Sequence, residues 1–325
     1  MTPVTERLRR LAVLLLAVTA TGASLAAGED QEARHWLDRV AYAASRLSYD
    51  GTFVYRNGDS IESMRIIHRA GAGGSKARLV SLIGEAREVI RDNERVTCYL
   101  PGSSSVRVGK PRPRPADGYN VFKPRGDFSD HYALMLANGE RVAGRDTRLV
   151  SVAPRDEWRY GYRLFVDEET GFLLKSELVD GHGGVLEQIV FTRLELPDVI
   201  PDALLQPGVS GEGFTWSTSG AVPGVSRDSR WTVGWLPAGF SMSDRAADAA
   251  GAGRMPVEHL VYTDGLASVS VFIEYLDAQG EHLEGLSRMG AVNAYGTMVA
   301  GFQVTAVGEV PGGTVERIGR SVARR

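Results

Sequence analysis

The chain has 325 residues, of which 43% are hydrophobic and 24% are charged, an ordinary globular composition. The formal net charge of −3 gives no overall attraction to nucleic acid or to an anionic membrane. The single cysteine, Cys98, excludes an internal disulfide, so the protein must be held together by its core.

The amino terminus has the composition of a secretory signal peptide. Three arginines up to Arg10 precede the apolar run Leu11–Ala20, and small residues follow as far as Ala27. The run is shorter than the ~20 apolar residues that a membrane span needs. We therefore expect residues 1–27 to be removed and the mature chain to be exported and soluble.

The next region predicts one helix followed by a long antiparallel meander. Apolar residues recur at near-helical spacing between Glu29 and Leu47. After Gly51 the period becomes two, and the turns between strands are too short for crossover helices. A second short helix is predicted over Phe128–Ala137. The predicted strands are Thr52–Arg56, Ile61–Arg69, Ala77–Ile83, Ala86–Arg91, Arg95–Leu100, Glu140–Ala143, Thr147–Ala153, Arg159–Asp167, Phe172–Val179 and Val185–Leu194.

A stretch rich in Pro, Gly and Ser, Pro197–Asp228, predicts a domain boundary. We expect a large domain over residues 28–196, a linker over 197–228 and a smaller domain over 229–325. In the smaller domain, two hairpins precede a closing helix predicted over Thr314–Val322.

No pattern in the sequence predicts catalysis, a metal site or a cofactor. The phosphate-binding loop and the nucleophile elbow are both absent, and the six histidines are isolated from one another in the sequence. The acidic run Asp167–Glu169 is typical of a turn. Cys98 fits a small apolar residue on a strand, with a reactive thiol or an intermolecular bridge as the alternative. The basic run Arg107–Arg114 fits an exposed loop, or else a loop that meets an acidic partner or a lipid headgroup.

The first predicted hairpin is apolar on both faces. Phe53, Tyr55, Met64 and Ile66 lie on one face, and Val54 and Ile67 lie on the other. A sheet with two apolar faces needs two covers. The predicted helices supply one, and the other is a further layer, a domain or an apolar ligand. A fully packed barrel core is the alternative interpretation.

Collinear segments of the chain resemble the RseB/MucB family of periplasmic negative regulators of the envelope-stress sigma factor. Together they cover nearly the whole mature chain. The segments are Asp50–Gly58, Ile66–Arg69, Arg87–Arg91, Arg141–Arg145, Val152–Asp156, Arg159–Tyr162, Asp167–Gly171, Leu174–Ser176, Trp235–Phe240, Tyr262–Ala267, Ser270–Glu274 and Val307–Pro311.

The resemblance implies an α+β protein. Its large domain would be an unclosed antiparallel β-barrel with helices, like the lipoprotein carriers LolA and LolB, and its smaller C-terminal domain would be mixed α+β. It also implies binding to the periplasmic part of a single-span anti-sigma factor (RseA or MucA), shielding it from proteolysis, and release by lipid-bearing envelope components.

Candidate residues follow from this resemblance. The acyl chains of mislocalised lipoproteins or lipopolysaccharide are expected to meet Phe53, Tyr55, Met64 and Ile66. The anti-sigma factor is expected to meet Tyr262, Phe272 and Glu274. We expect no nucleic-acid partner, and self-association stays open.

The alternative functions are a lipid or lipoprotein carrier and a hydrolase. A periplasmic lipid or lipoprotein carrier would use the same hollow sheet but would not need the second domain. A hydrolase is disfavoured because every catalytic template is absent from the sequence.

Overall fold

A computed structural model describes residues 30–71, 74–93, 95–109, 128, 130–218, 230–248, 257–275 and 283–325. The predicted signal peptide and most of the basic run lie outside the described residues. Within the described ranges, no helix is both long enough and apolar enough to cross a membrane.

The first part of the chain forms one open sheet of twelve strands. Its order is β12-β6-β5-β4-β3-β2-β1-β11-β10-β9-β8-β7, so that β12 and β7 are the free edges of an unclosed sheet. The strands are β1 (Tyr49–Asn57), β2 (Ser60–Gly71), β3 (Gly74–Ser81), β4 (Glu88–Asp92), β5 (Arg95–Leu100), β6 (Ser105–Gly109), β7 (Tyr132–Asn138), β8 (Thr147–Pro154), β9 (Gly161–Asp167), β10 (Leu173–Val179), β11 (Val185–Glu195) and β12 (Thr215–Thr218). The predicted meander is confirmed. Strand β1 lies in the middle of the sheet, where it pairs with both β2 and β11.

Helix α1, residues 30–46, covers one face of this sheet. Its near-helical apolar spacing buries Ala33, Trp36, Leu37 and Val40 in one cluster. The sheet residues of that cluster come mainly from β7, β8 and β9: Tyr132, Leu134, Val150, Val152, Leu164 and Val166. The packing of α1 confirms the first predicted helix.

The segment that follows β11 crosses another part of the sheet. Ile200 and Leu205 are buried against Ile67 of β2. Gly208 donates its backbone N–H to the Glu88 carboxylate at 2.9 Å. The chain then adds β12 beside β6 in parallel. Much of the predicted linker is therefore packed on the large sheet, while the division of the chain into domains stays a prediction.

The last part of the chain forms a second, six-stranded sheet in the order β14-β15-β16-β19-β18-β17, with a two-stranded ribbon of β13 and β20. The elements are β13 (Trp231–Val233), β14 (Ser241–Asp248), β15 (Val257–Thr263), β16 (Ser268–Tyr275), β17 (Gly285–Met289), β18 (Val292–Val299), β19 (Phe302–Gly308), α2 (Gly312–Arg320) and β20 (Val322–Arg324). Helix α2 packs on one face of this sheet and buries Val315 and Ile318. This sheet has its own apolar core, separate from the clusters of the large sheet.

The predicted second helix over Phe128–Ala137 is wrong, because this segment contains strand β7. Tyr132 and Leu134 are buried while Met135 is exposed, which is a period of two. Pairing with β8 overrides the helical propensity of Ala, Leu and Met in this segment. The predicted strand Glu140–Ala143 is a tight turn with one bridge between Val142 and Arg145.

Candidate functional site

The four predicted lipid-facing residues lie together on one face of the large sheet. Phe53 pairs with Met64 across β1 and β2, and Ile66 pairs with Gly51, so their side chains share a face with Tyr55. All four are buried, and Phe53, Met64 and Ile66 are buried completely. They belong to one cluster that also contains Tyr49, Leu79, Phe172, Leu174, Ile189 and Phe191.

Aromatic rings fill the centre of this cluster. The Phe191 ring lies 5.4 Å from Phe53 and 5.2 Å from Phe172, and Phe172 is 4.8 Å from Tyr49. Offset and edge-on pairs of this kind are the favoured aromatic geometries. Any apolar guest at this face must therefore displace side-chain contacts that already exist.

Tyr55 connects the apolar cluster to the second sheet. Its hydroxyl donates to the Glu187 carboxylate at 3.0 Å and accepts from the Asn57 amide at 3.1 Å. The Asn57 Oδ1 then accepts the backbone N–H of Ala291 at 3.0 Å. Gly290 makes the approach feasible, because its φ is +61° and a Cβ there would lie 1.7 Å from the Asn57 oxygen.

A buried ion pair forms a second connection between the two sheets. Arg159 is 2% exposed, and its Nη1 donates to Asp264 Oδ2 at 2.6 Å. Its Nε and Nη2 also donate to both oxygens of Asp156, at 3.0 and 2.9 Å, and Nη2 donates to the Ala238 carbonyl at 2.7 Å. Tyr132 donates its hydroxyl to the same Asp264 oxygen at 3.0 Å.

The other oxygen of Asp264 shapes the turn that carries it. It accepts the backbone N–H groups of Leu266 and Ala267 at 2.9 and 2.8 Å. This sequence, Asp264-Gly265, is a strong turn former between β15 and β16. The turn therefore presents a fixed carboxylate to Arg159, and Leu266 packs on the α1 cluster of the large sheet.

Further contacts surround these two connections. The Asn293 amide donates to the Tyr160 hydroxyl at 3.0 Å, and the Thr314 hydroxyl donates to the Trp158 carbonyl at 2.8 Å. Trp158 also meets the Trp235 ring edge-on, with centroids 4.9 Å apart. A small apolar cluster joins Ala291 to the large-sheet residues Tyr160, Leu178 and Leu186. We call this whole set of contacts between the sheets the junction.

Burial dominates the electrostatics of the junction. Burial, reinforced by the charge of Glu309, raises the pKa of Glu187 to about 8, against an opposing hydrogen bond from Tyr55. Burial also raises the pKa of Glu309. The pKa of the Tyr162 phenol is raised by burial first, and then by Glu309, Glu187 and Asp264. Protonated carboxyls and neutral phenols are thus favoured here.

The structure separates the three predicted partner-binding residues. Phe272 and Glu274 lie on the face of the small sheet opposite α2, half-buried, and Phe272 stacks on His259 with centroids 4.3 Å apart. Tyr262 pairs with Val269 on the other face and is buried in the core. Their role in binding stays a prediction.

The sequence reasoning missed the residues of the junction. Arg159 begins a predicted strand, the turn signals at Asn57 and Asp264 predict only hairpins, and no role is predicted for Glu187 or Glu309. An Asp or Asn in a turn gives no indication of a distant partner. A carboxylate on the apolar face of a strand, as Glu187 lies between Val185 and Ile189 on β11, is the one pattern that would have marked this position.

The structure also places the histidine and cysteine residues that could have had a chemical role. His68 is buried, with its Nδ1 3.0 Å from the Leu47 carbonyl and its ring 4.9 Å from the Tyr49 ring in a tilted arrangement. Cys98 is half-buried on β5. Among the residues that the structure describes, no three His, Cys, Asp or Glu side chains converge as metal ligands would.

Comparison with known families covers both sheets. The MucB/RseB N-terminal domain matches residues 32–209, and the MucB/RseB C-terminal domain matches residues 225–323. The chain belongs to the MucB/RseB family. This family is one of regulatory proteins of sigma factors, as the names of its curated members state.

Two relatives illustrate the extent of the match. The sigma factor AlgU regulatory protein MucB of Pseudomonas aeruginosa is 34% identical over 312 residues, which is 95% of this chain and 94% of that protein. The sigma-E factor regulatory protein RseB of Escherichia coli is 26% identical over 291 residues, covering 88% of this chain and 89% of the relative.

Solved structures of the family have the same fold. The complex structure of Pseudomonas aeruginosa MucA/MucB contains a chain that is 32% identical, with a TM-score of 0.72, and the match covers 90% of this chain and 99% of that one. A structure of MucB in complex with MucA(peri) gives a TM-score of 0.71 at 31% identity, with the same coverage. This MucB/RseB-family chain therefore has the family's fold over nearly its whole length.

Proposed function

We propose that this MucB/RseB-family protein acts in the periplasm as a negative regulator of a sigma-E-type envelope stress response. It binds the periplasmic part of a single-span, MucA- or RseA-like anti-sigma factor and shields it from proteolysis. Lipid-bearing envelope components release it, and proteolysis of the anti-sigma factor then frees the sigma factor. The protein acts by binding its partner and the lipid, and not by catalysing a reaction.

One observation carries this proposal. Both family domains match in order along one chain, and the related MucB has been solved with MucA and with MucA(peri) at TM-scores of 0.72 and 0.71 against this chain. A carrier of lipid alone would not need the second sheet, whereas a regulator that grips a partner with two modules would. The predicted signal peptide supports the periplasmic location.

We place the docking face for the anti-sigma factor on the small sheet. The face opposite α2 carries Phe272 and Glu274, and neither side chain belongs to the core of that sheet. An aromatic ring beside a carboxylate offers apolar contact together with a charge to a basic or polar segment. We assign the first contact with the anti-sigma factor to this face, with Tyr262 supporting it from the core side.

The large sheet supplies the lipid-responsive part. Each buried CH₂ of an acyl chain contributes ~0.8 kcal/mol, so a chain of ten or so carbons can compete with existing side-chain contacts. Phe53, Met64 and Ile66 form the apolar lining, and Tyr55 connects that lining to the junction. A guest that displaces Tyr55 therefore also disturbs the contact with Ala291, which is how lipid binding would change the arrangement of the two sheets.

The test is capture and protection of the anti-sigma segment. The mature chain is mixed with the purified periplasmic segment of the anti-sigma factor from the same organism, and affinity and protease resistance are measured. We expect Phe272→Ala to weaken binding about tenfold or more, as loss of an aromatic contact residue does. Ser270→Ala, on the same face of the same strand, is the matched control and should bind like the wild type.

Addition of lipopolysaccharide or of a triacylated lipopeptide should release the segment and restore its cleavage. Retention of lipid by the chain without any capture of the anti-sigma segment would refute the regulatory proposal and favour the carrier. Capture that lipid never reverses would refute the release step alone.

A further inference from the structure

Each sheet contributes one carboxyl group to the junction, Glu187 from the large sheet and Glu309 from the small sheet, and the charge of Glu309 acts on Glu187. Glu187 lies on β11 of the large sheet and is 7% exposed. Glu309 directly follows β19 of the small sheet, next to Gly308, which pairs with Asn293. Asn293 in turn donates to the Tyr160 hydroxyl of the large sheet, so this end of β19 faces β11 and its neighbours.

The strand register places Glu187 on the face of the large sheet that carries Tyr55 and Ile189. It pairs with Asn57 of β1 and with Leu178 of β10, and Ile189, two residues along the strand, pairs with Tyr55. Tyr55 and Asn57 are the residues that reach Ala291 of the small sheet. Glu187 is therefore part of the same hydrogen-bonded chain that connects the two sheets.

The nearby cations are engaged elsewhere. Arg87 pairs with Glu62 at 3.0 Å, Arg56 donates to the Val185 carbonyl at 3.4 Å, and Arg288 donates to the Gly290 carbonyl at 2.9 Å. Arg159 donates to Asp156, to Asp264 and to the Ala238 carbonyl. Within the described part of the chain, neither Glu187 nor Glu309 forms a salt bridge with any Lys or Arg.

Other titratable groups also face this site. On the large sheet they are Tyr55, Glu62, Tyr160, Tyr162, Asp180 and His182, and on the small sheet they are Asp264 and Glu309 itself. The phenols are neutral at physiological pH, and their burial keeps them so. Asp180 lies in the exposed β10–β11 turn, where the Gly184 and His182 N–H groups hold its carboxylate. Glu187 and Glu309 are therefore the pair whose charge changes when the junction opens.

We propose that Glu187 and Glu309 form a proton-dependent interlock, which favours the docked arrangement of the two sheets in acid and weakens it as the pH rises. Two like charges that act on each other within a buried junction are unfavourable, so docking retains protons on the pair and separation releases them. This device is independent of the partner and of the lipid in the proposed function.

Proton linkage determines the direction in which docking changes with pH. The docked state raises the pKa of Glu187 to about 8 from its ordinary 4.5, because of burial and the charge of Glu309. Docking is fully favoured below pH 4.5. Through Glu187, the ratio of docked to separated molecules falls by up to tenfold per pH unit as the pH rises from about 4.5 to 8, and the raised pKa of Glu309 adds a fall in the same direction.

The amide of Ala291 reports on this equilibrium directly, because its N–H is held by Asn57 across the junction. Hydrogen exchange of this amide is measured by NMR on the mature chain at pH 5.5 and 7.5, each rate divided by the intrinsic rate at that pH. We expect the titration of Glu187 to lower protection between about tenfold and a hundredfold over this pH range, and Glu309 to lower it further. The amide of Gly139, held by the Thr147 carbonyl within the large sheet, is the internal control and should keep its protection.

Glu187→Gln combined with Glu309→Gln should make the protection of Ala291 independent of pH. Glu195→Gln, an exposed carboxyl on the same strand, should keep the wild-type dependence. Wild-type protection that is equal at both pH values overturns the proposal, as does a wild-type slope that persists in the double variant.

If the double variant does not fold, ¹³C-carboxyl titration of the wild type decides. A midpoint of Glu187 near 8 supports the interlock, and an ordinary midpoint near 4.5 overturns it.

Discussion

Replacement of Arg159 by Met tests the energetic role of the junction. Methionine keeps much of the length of the side chain but removes the charge and all of its hydrogen bonds. Asp264, whose side chain is completely buried, then loses its only ion-pair partner among the described residues. Three donors remain to it: the Tyr132 hydroxyl and two backbone N–H groups.

The expected magnitude follows from this partial compensation. Removal of one partner of a buried ion pair costs about 3–5 kcal/mol, because the remaining charge is uncompensated. The three remaining donors place the loss of unfolding free energy at the lower end, about 3 kcal/mol. For a domain of this size that corresponds to a decrease in Tm of roughly 6–12 °C.

The assay is urea unfolding of the mature chain, followed by tryptophan fluorescence. Trp158 and Trp235, which meet at the junction, report on its opening. Arg320→Met removes an exposed pair with Glu316 and is the control, with an expected loss of about 0.5 kcal/mol or less.

A double-mutant cycle separates the ion pair from general damage to packing. Asp264→Asn keeps an acceptor for the turn but removes the negative charge, so Arg159→Met combined with Asp264→Asn should lose about 2 kcal/mol less than the sum of the single changes. Additive losses, or a loss below 1 kcal/mol for Arg159→Met alone, would refute the account of the junction as an ion-pair connection.

Three further predictions concern other positions. Gly239→Ala should destabilise the chain by about 1–3 kcal/mol in urea, because φ is +85° there and the new Cβ would lie 2.1 Å from the His131 ring; an unchanged midpoint would contradict this. Leu205→Ala should cost about 2–5 kcal/mol through the cavity that it leaves against the large sheet, whereas the exposed Leu82→Ala should stay within about 0.5 kcal/mol; equal losses would show that the segment after β11 is not packed. Tyr55→Phe should raise the pKa of Glu187 above about 8 in a ¹³C titration, because the lost hydrogen bond stabilises the carboxylate; a lower midpoint would contradict the contact.

The local elements were largely determined by the sequence. Alternating apolar residues predicted the β1–β2 hairpin, and helical spacing predicted α1 and the closing helix. These patterns depend on neighbours within a few residues, and such neighbours are visible along the chain. The family resemblance, carried by collinear segments, predicted an unclosed sheet followed by a smaller domain.

Only the tertiary structure determined the contacts of the junction, the conformation of Tyr132–Asn138 and the position of the segment after β11. Asp264 meets Tyr132 from 132 positions away and Arg159 from 105, a distance at which periodicity gives no information. The segment Tyr132–Asn138 forms a strand because it pairs with β8, although its residues favour a helix. The segment after β11 packed on the sheet because Ile67 offered it an apolar surface. Burial then set the protonation of Glu187, since a carboxyl acquires a raised pKa from the side chains that fold around it and not from those beside it in sequence.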